Sequence, residues 1–241
     1  MNITGKTILI TGANRGIGHA LVVEALRRGA KQVYAGTRSG VDIADERVVP
    51  VVLDVTNDTQ IEQAVRKAGS LDVVINNSGI APYDDLSDPE VIEQALAVNF
   101  FGMYKVSRAF LPMLKRARGA LVNNLSLMAL APLPLTPSYA ISKAAALSMT
   151  QSLRALLAGQ NVSVHGVFLG PVDTDMTRGF EIPKASPESV AQGIFDGLEN
   201  GEEDIFPDAM SRSIADGWRN GVAKAFERQY ASFVPESAAA L

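Results

Sequence analysis

The sequence predicts an α/β protein, a single doubly wound domain over residues 1–241. A central parallel sheet of about seven strands is expected, flanked by helices. Three observations predict this. Short apolar, β-branched runs alternate with longer helix-period segments, the signature of right-handed βαβ units. A glycine-rich turn joins the first strand to the first helix. No repeat, low-complexity tract or linker divides the chain.

The elements follow in order. Thr7–Ile10, Gln32–Ala35, Val49–Leu53, Val73–Ile75, Ala120–Asn123 and Val162–Phe168 are continuous apolar runs, as expected for parallel strands buried on both faces. Between them, Gly16–Arg28, Thr59–Ala68, Pro89–Arg116 and Ser138–Ala158 carry apolar positions at helical period. The stretch from Arg38 to Val49 has room for only a turn or a stub of helix. Ser211–Phe233 reads as an appended amphipathic C-terminal helix, with Ile214, Trp218, Val222, Ala225, Phe226 and Phe233 on its apolar side. Residues 234–241 read as a frayed tail.

Composition narrows the partners. A formal charge of −4 gives no reason to expect nucleic acid or an anionic membrane surface. The chain has no cysteine, which removes disulfides and thiolate sites and suits a cytoplasmic setting. No apolar run approaches the roughly 20 residues that span a bilayer. The only histidines, His19 and His165, are far apart in sequence, so no metal site is expected.

The glycine run carries the first chemistry. Gly12, Gly16 and Gly18 follow a strand and open a helix, where backbone amides and the helix N-terminus cradle a pyrophosphate. A dinucleotide that carries only a ribose hydroxyl calls for an acid near the end of the second strand, but Gly36, Thr37 and Arg38 stand there. Arg38 and Arg15 instead suit a 2′-phosphate, and point to NADP(H) over NAD(H). Surface solvation of both arginines is the competing reading. Asp54, at the end of the third strand, faces the adenine edge or caps the following helix. The second chemistry is Tyr139 and Lys143, four positions apart on one helix face. A neighbouring ammonium is expected to pull the phenol pKa down from about 10, making an acid/base pair.

With these residues in view, the chain resembles the short-chain dehydrogenase/reductase family over nearly its whole length. The glycine motif is Thr11–Gly18. The Asn-Asn-Ala-Gly motif is Asn76-Asn77-Ser78-Gly79, with serine in place of alanine. Asn99 and Ser126 match the active-site asparagine and serine, and Tyr139 follows Ser126 by thirteen positions. Gly170-Pro171-Val172-Asp173-Thr174 matches the segment after the sixth strand, although Leu169 replaces its leading proline. The resemblance implies a Rossmann fold and hydride transfer between NADP(H) and a carbonyl or secondary alcohol. Tyr139 would be the proton donor, Ser126 the hydrogen-bond partner of the substrate oxygen, and Lys143 the holder of the nicotinamide ribose. Asn99 would hold a water linking Lys143 to solvent. The cofactor would lie against Gly12, Asn14, Arg15, Gly16, Ile17, Gly18, Arg38, Asp54, Val55, Asn77, Ser78, Gly79, Pro171, Val172 and Thr174, with Tyr139 and Lys143 at its reactive end.

Leu127, Met128, Leu133, Met176 and Phe180 are the expected substrate pocket, and their apolar character points to a hydrophobic carbonyl or alcohol substrate. The resemblance also implies association through the faces of the two long helices, Pro89–Arg116 and Ser138–Ala158, as a homodimer, with a tetramer or a monomer as the alternatives. A non-catalytic NADP(H)-binding sensor or scaffold, or an NAD(H)-preferring dehydrogenase, is the competing function.

Overall fold

The computed structural model describes Met1–Val234. Seven parallel strands form one sheet in the order β3-β2-β1-β4-β5-β6-β7. They are β1 (Thr7–Thr11), β2 (Gln32–Thr37), β3 (Val48–Val52), β4 (Val73–Asn76), β5 (Ala120–Asn124), β6 (Ser163–Val167) and β7 (Asp204–Ile205). The order reverses between the units that run outward from β1 and those that run through β4. A crevice therefore opens at the carboxyl ends of β1 and β4, the switch point where α/β sheets bind ligands.

Side-chain alternation divides the core between the two faces of the sheet. Ile8 and Ile10 of β1 pack in one cluster with Val73, Ile75, Leu21, Val22, Ile194 and Phe195. Their neighbour Leu9 packs in the opposite cluster with Val74, Leu121, Val106, Phe110 and Leu114. α1 (Gly16–Arg27) and α6 (Pro187–Glu199) cover the first face; α2 (Asp58–Ala68), α4 (Met103–Ala117) and α5 (Pro137–Leu157) cover the second. The helix expected over Pro89–Arg116 is present as α3 (Pro89–Leu96) and α4, joined by a π-helical turn at Ala97–Gly102. That turn holds Asn99. Residues 38–47 contain no helix, in keeping with the short connection.

The sheet has the expected number of strands; the seventh, β7, is only two residues long, too short to stand out in the apolar pattern. One expectation is corrected. Ser211–Phe233 is not one amphipathic helix. It is broken into α7 (Ala209–Arg212), α8 (Ala215–Arg219) and α9 (Val222–Tyr230), followed by a 3₁₀ turn at Ala231–Phe233. Asn220 and Gly221 interrupt the helix, which changes the face it presents. Trp218 packs on Phe168, which stacks on Phe206, whereas Ile214, Val222, Phe226 and Phe233 are exposed. The buried positions of the segment are instead Ser211, Ala215 and Lys224. Of the tail expected at 234–241, residues 235–241 lie outside the described residues.

Candidate active site

At the switch point lies a cleft of about 510 Å³, within the usual size of a small-molecule site. It is lined by Gly12, Asn14, Arg15, Gly16, Ile17, Gly18, Arg38, Asp54, Val55, Asn77, Ser78, Gly79 and Thr174, all among the residues named for the cofactor from sequence. Thr37, Ser39, Leu53, Ile80, Val98, Asp175 and Met176 complete the wall. Of the expected substrate residues only Met176 is in this lining. Tyr139, Lys143, Pro171 and Val172 lie outside it.

The sequence shapes this wall locally. Gly12 has φ +67°, a conformation that excludes most side chains, and a Cβ on Gly18 would come within 2.0 Å of the Gly12 carbonyl oxygen. The turn between them is therefore tight, and it delivers the first amides of α1 to the cleft. α1 has no side-chain cap and no acid in its first turn. By contrast, Asn57, Asp88 and Ser186 cap α2, α3 and α6. An uncapped helix start aimed into a cleft of this size fits a pyrophosphate. The glycine loop is also tied to the strand beside it. Thr11 Oγ1 accepts from the amides of Asn77 and Ser78 at 2.9 and 3.0 Å, and Asn77 Nδ2 donates to Thr11 O at 3.0 Å.

The two arginines differ. Arg38 stands at the cleft wall near Asp54, whose carboxyl is lowered first by its bonds from Thr56 and further by Arg38. Asp54 is not the cap of α2, a role taken by Asn57. Arg15 makes an ion pair with Asp175 at 2.6 Å.

Past Gly79 lie the residues expected to do acid/base work. Ser126 closes β5, and its Oγ accepts from the Met128 amide at 3.1 Å. Tyr139 and Lys143 sit one turn apart in the first half of α5, with Lys143 Nζ 5.7 Å from the Tyr139 ring centroid. Lys143 is 4% exposed, and its Nζ donates to Asn124 O at 2.7 Å. Burial pushes Lys143 down to about 8. It also raises the Tyr139 phenol, against a smaller lowering by its side-chain hydrogen bond with Ser126. This corrects the expected direction. The ammonium lies over the ring and bonds a main-chain oxygen, so desolvation of the phenolate dominates. At neutral pH Tyr139 is held as the protonated acid.

Asn99 is fully buried. Its Oδ1 accepts from Ile80 N at 2.9 Å, and its Nδ2 donates to Ile80 O at 2.8 Å and Ser142 Oγ at 2.9 Å. The side chain thereby fixes the Ile80 main chain at the cleft wall. Asn124, which the motifs did not single out, donates from Nδ2 to Asn77 Oδ1 at 2.9 Å. Its Oδ1 is buried with no hydrogen-bond partner among the described residues. The start of α5 has a further support that sequence left unassigned: the Asp84 carboxylate accepts from Ser138 Oγ, and from Ser138 N at 3.3 Å.

The expected substrate residues are dispersed around this point. Phe180 pairs with Tyr83, ring centroids 5.9 Å apart, and Met128 accepts a sulfur contact from Thr136. Leu133 is half-buried. Leu127 packs partly against the core cluster of Phe168 and Phe206.

Comparison with known proteins agrees with this geometry. The family model for short chain dehydrogenases matches residues 6–184. The chain is 34% identical over 215 residues to 3-oxoacyl-(acyl-carrier-protein) reductase FabG of Thermotoga maritima, covering 80% of this chain and 84% of that one. An uncharacterized oxidoreductase of Staphylococcus aureus is 30% identical over 208 residues, covering 80% and 90%. A crystal structure of a short chain dehydrogenase from Burkholderia cenocepacia in complex with NADP superposes with a TM-score of 0.87 at 37% identity, covering 98% of this chain and all of that one. Fold and site define a nicotinamide-dependent oxidoreductase. The chain belongs to the short chain dehydrogenase family.

Proposed function

We propose that this enzyme is an NADP(H)-dependent reductase of apolar ketones or aldehydes, acting in reverse as a secondary-alcohol dehydrogenase. One observation carries the reading: Ser126, Tyr139 and Lys143 meet beyond the uncapped α1 cleft, with the tyrosine held protonated by burial. The cofactor, when bound, supplies the hydride. The chain's own residues do the rest. Ser126 orients the substrate oxygen, Tyr139 delivers a proton to it, and Lys143 offers its Nζ–H groups to the nicotinamide ribose. The α1 amides would hold the pyrophosphate and Arg38 the 2′-phosphate, with Val172 and Thr174 on the nicotinamide side. The NADP seen in the Burkholderia relative supports this cofactor. Met176, Tyr83 and the half-buried Phe180 near the site favour an apolar substrate over a charged one.

Exposed Phe101, Tyr104 and Ile141, on the π turn, α4 and α5, support a homodimer through those helices. The testing experiment is a fluorescence titration with NADPH and, separately, NADH, followed by NADPH oxidation assays on a panel of apolar ketones and aldehydes. Selective NADPH binding with turnover is expected. Binding without turnover of any carbonyl would favour the sensor reading, and preference for NADH would overturn the role given to Arg38.

A further inference from the structure

The loop that leaves β6 carries Val172 and Thr174 toward the cleft, and its main chain is gripped at two places. On one side, Pro171 O accepts from Ala185 N at 3.0 Å and Asp173 N donates to Ala185 O at 2.9 Å. On the other side, one residue before Pro171, the Gly170 amide donates to Asp208 Oδ2 at 2.9 Å. Asp208 belongs to the C-terminal segment, outside every motif of the sequence, and is 4% exposed.

Asp208 does more than cap a helix. Its Oδ1 accepts from Ser211 N at 2.9 Å, the ordinary capping bond of α7. Its Oδ2 takes both Ser211 Oγ, at 2.9 Å, and the Gly170 amide. Among the described residues it makes no ion pair, so this buried carboxylate is satisfied by neutral donors alone. The fit is close: a Cβ on Gly170 would come within 2.6 Å of Asp208 Oδ1.

We propose that Asp208 is a positioning residue for the nicotinamide half of the cofactor, acting through the Gly170–Val172 main chain. The inference rests on the NADP(H) reading above. The C-terminal segment is thereby part of the active-site scaffold, since it fixes the loop opposite the one that Asn99 fixes through Ile80.

The test separates the two halves of the cofactor. Both Asp208 oxygens accept from an N–H, so an asparagine amide in either orientation sets its NH₂ group against one of those donors. Asp208→Asn is expected to weaken NADPH about tenfold, the effect of one buried amide left unpaired. Adenosine 2′,5′-bisphosphate, which lacks the nicotinamide, is expected to bind within about twofold of wild type because its contacts are untouched. The substrate KM should rise with the same variant while the pH profile keeps its shape. Trp218→Phe, in the same segment, supplies the background: it loses the Nε1 bond to Asp204 and should lower Tm without changing the ratio of the two affinities. If Asp208→Asn does not fold, Gly170→Ala presses on the same contact from the loop side and should give the same selective loss. Equal losses of both ligands, or no loss of either, would overturn the proposal. A wild-type protein that binds NADH in place of NADPH moves the comparison to NADH against adenosine diphosphate, with the same expectation. A wild-type protein that binds no nicotinamide cofactor overturns the cofactor reading itself, and this inference falls with it.

Discussion

Two lysines of this protein are almost fully buried, and their surroundings could hardly differ more. Lys224 is 2% exposed and meets three carboxylates: Asp204 at 2.8 Å, Glu203 at 2.9 Å and Glu227 at 3.1 Å. Arg154 pairs with Asp204 and Glu227 from the other side, and Trp218 Nε1 donates to Asp204 at 2.7 Å. Burial raises the Asp204 carboxyl, but Arg154 and Lys224 more than offset this and leave it below the ordinary range. Lys143, 4% exposed, donates to a single carbonyl oxygen and has no anionic partner among the described residues, so desolvation carries it down to about 8. A buried charge that is compensated on every side builds structure. One left nearly uncompensated, beside a phenol, carries a burial cost that no ion pair offsets, which marks it as a candidate functional group.

The largest expected effect breaks the comparison on the catalytic side. Lys143→Met should lower turnover by about 10²- to 10⁴-fold, the range of a lost acid/base contribution, as read by steady-state NADPH oxidation. It should not lower stability at pH 7. A shift from 10.5 to about 8 corresponds to about 3 kcal/mol against the buried ammonium. The sign is fixed by proton counting. Between about 8 and 10.5 the unfolded lysine keeps its proton while the folded one has released it, so wild-type stability gains with rising pH in that window. Urea unfolding at pH 7 and pH 9 should show this gain in wild type and its loss in Lys143→Met. Equal pH slopes in the two proteins would mean that Lys143 is not held below its ordinary value.

Lys224→Met should do the reverse. It leaves Asp204 and Glu227 buried against each other with Arg154 as their remaining cation. Breaking such a pair costs about 3–5 kcal/mol, seen as a lowered Tm, while turnover per folded molecule stays within about twofold of wild type. A stable but inactive Lys224→Met would show that the two lysines are not separable in this way.

The same contrast marks what was legible in the sequence. Tyr139, Lys143 and Ser126 were readable because their spacing is local to one strand end and one helix turn. The glycine loop was readable because strand, turn and helix follow one another directly. Lys224 was not. Helical period placed it away from the apolar stripe of Ser211–Phe233, and only the distant carboxylates of β7 and Arg154 explain its burial. Asp208 was invisible for a related reason, since its partner Gly170 lies 38 positions away. The Tyr139 pKa ran opposite to expectation because sequence shows the neighbouring ammonium but not the extent of desolvation. Sequence patterns report faces and turns. They do not report which charge a remote element brings.

The smaller effects sharpen the comparison at the cofactor's far end, where charges are exposed. Arg38→Ala should weaken NADPH about tenfold, the worth of a charge-assisted phosphate contact, and leave NADH unchanged; equal losses would remove Arg38 from the 2′-phosphate. Arg15 should matter less. It is two-thirds exposed and already engaged by Asp175 at 2.6 Å, and exposed pairs of this kind are worth about 0–1 kcal/mol. Arg15→Ala is therefore expected to change NADPH affinity by less than about threefold. Asp175→Asn gives the finer test, because it releases Arg15 without removing it. If Asp175 competes with the 2′-phosphate, this variant binds NADPH more tightly by up to about threefold, with NADH unaffected and the gain vanishing at high salt. A gain shared equally by both cofactors would mean that Asp175 acts by repelling the pyrophosphate, and that Arg15 is a partner of the loop alone.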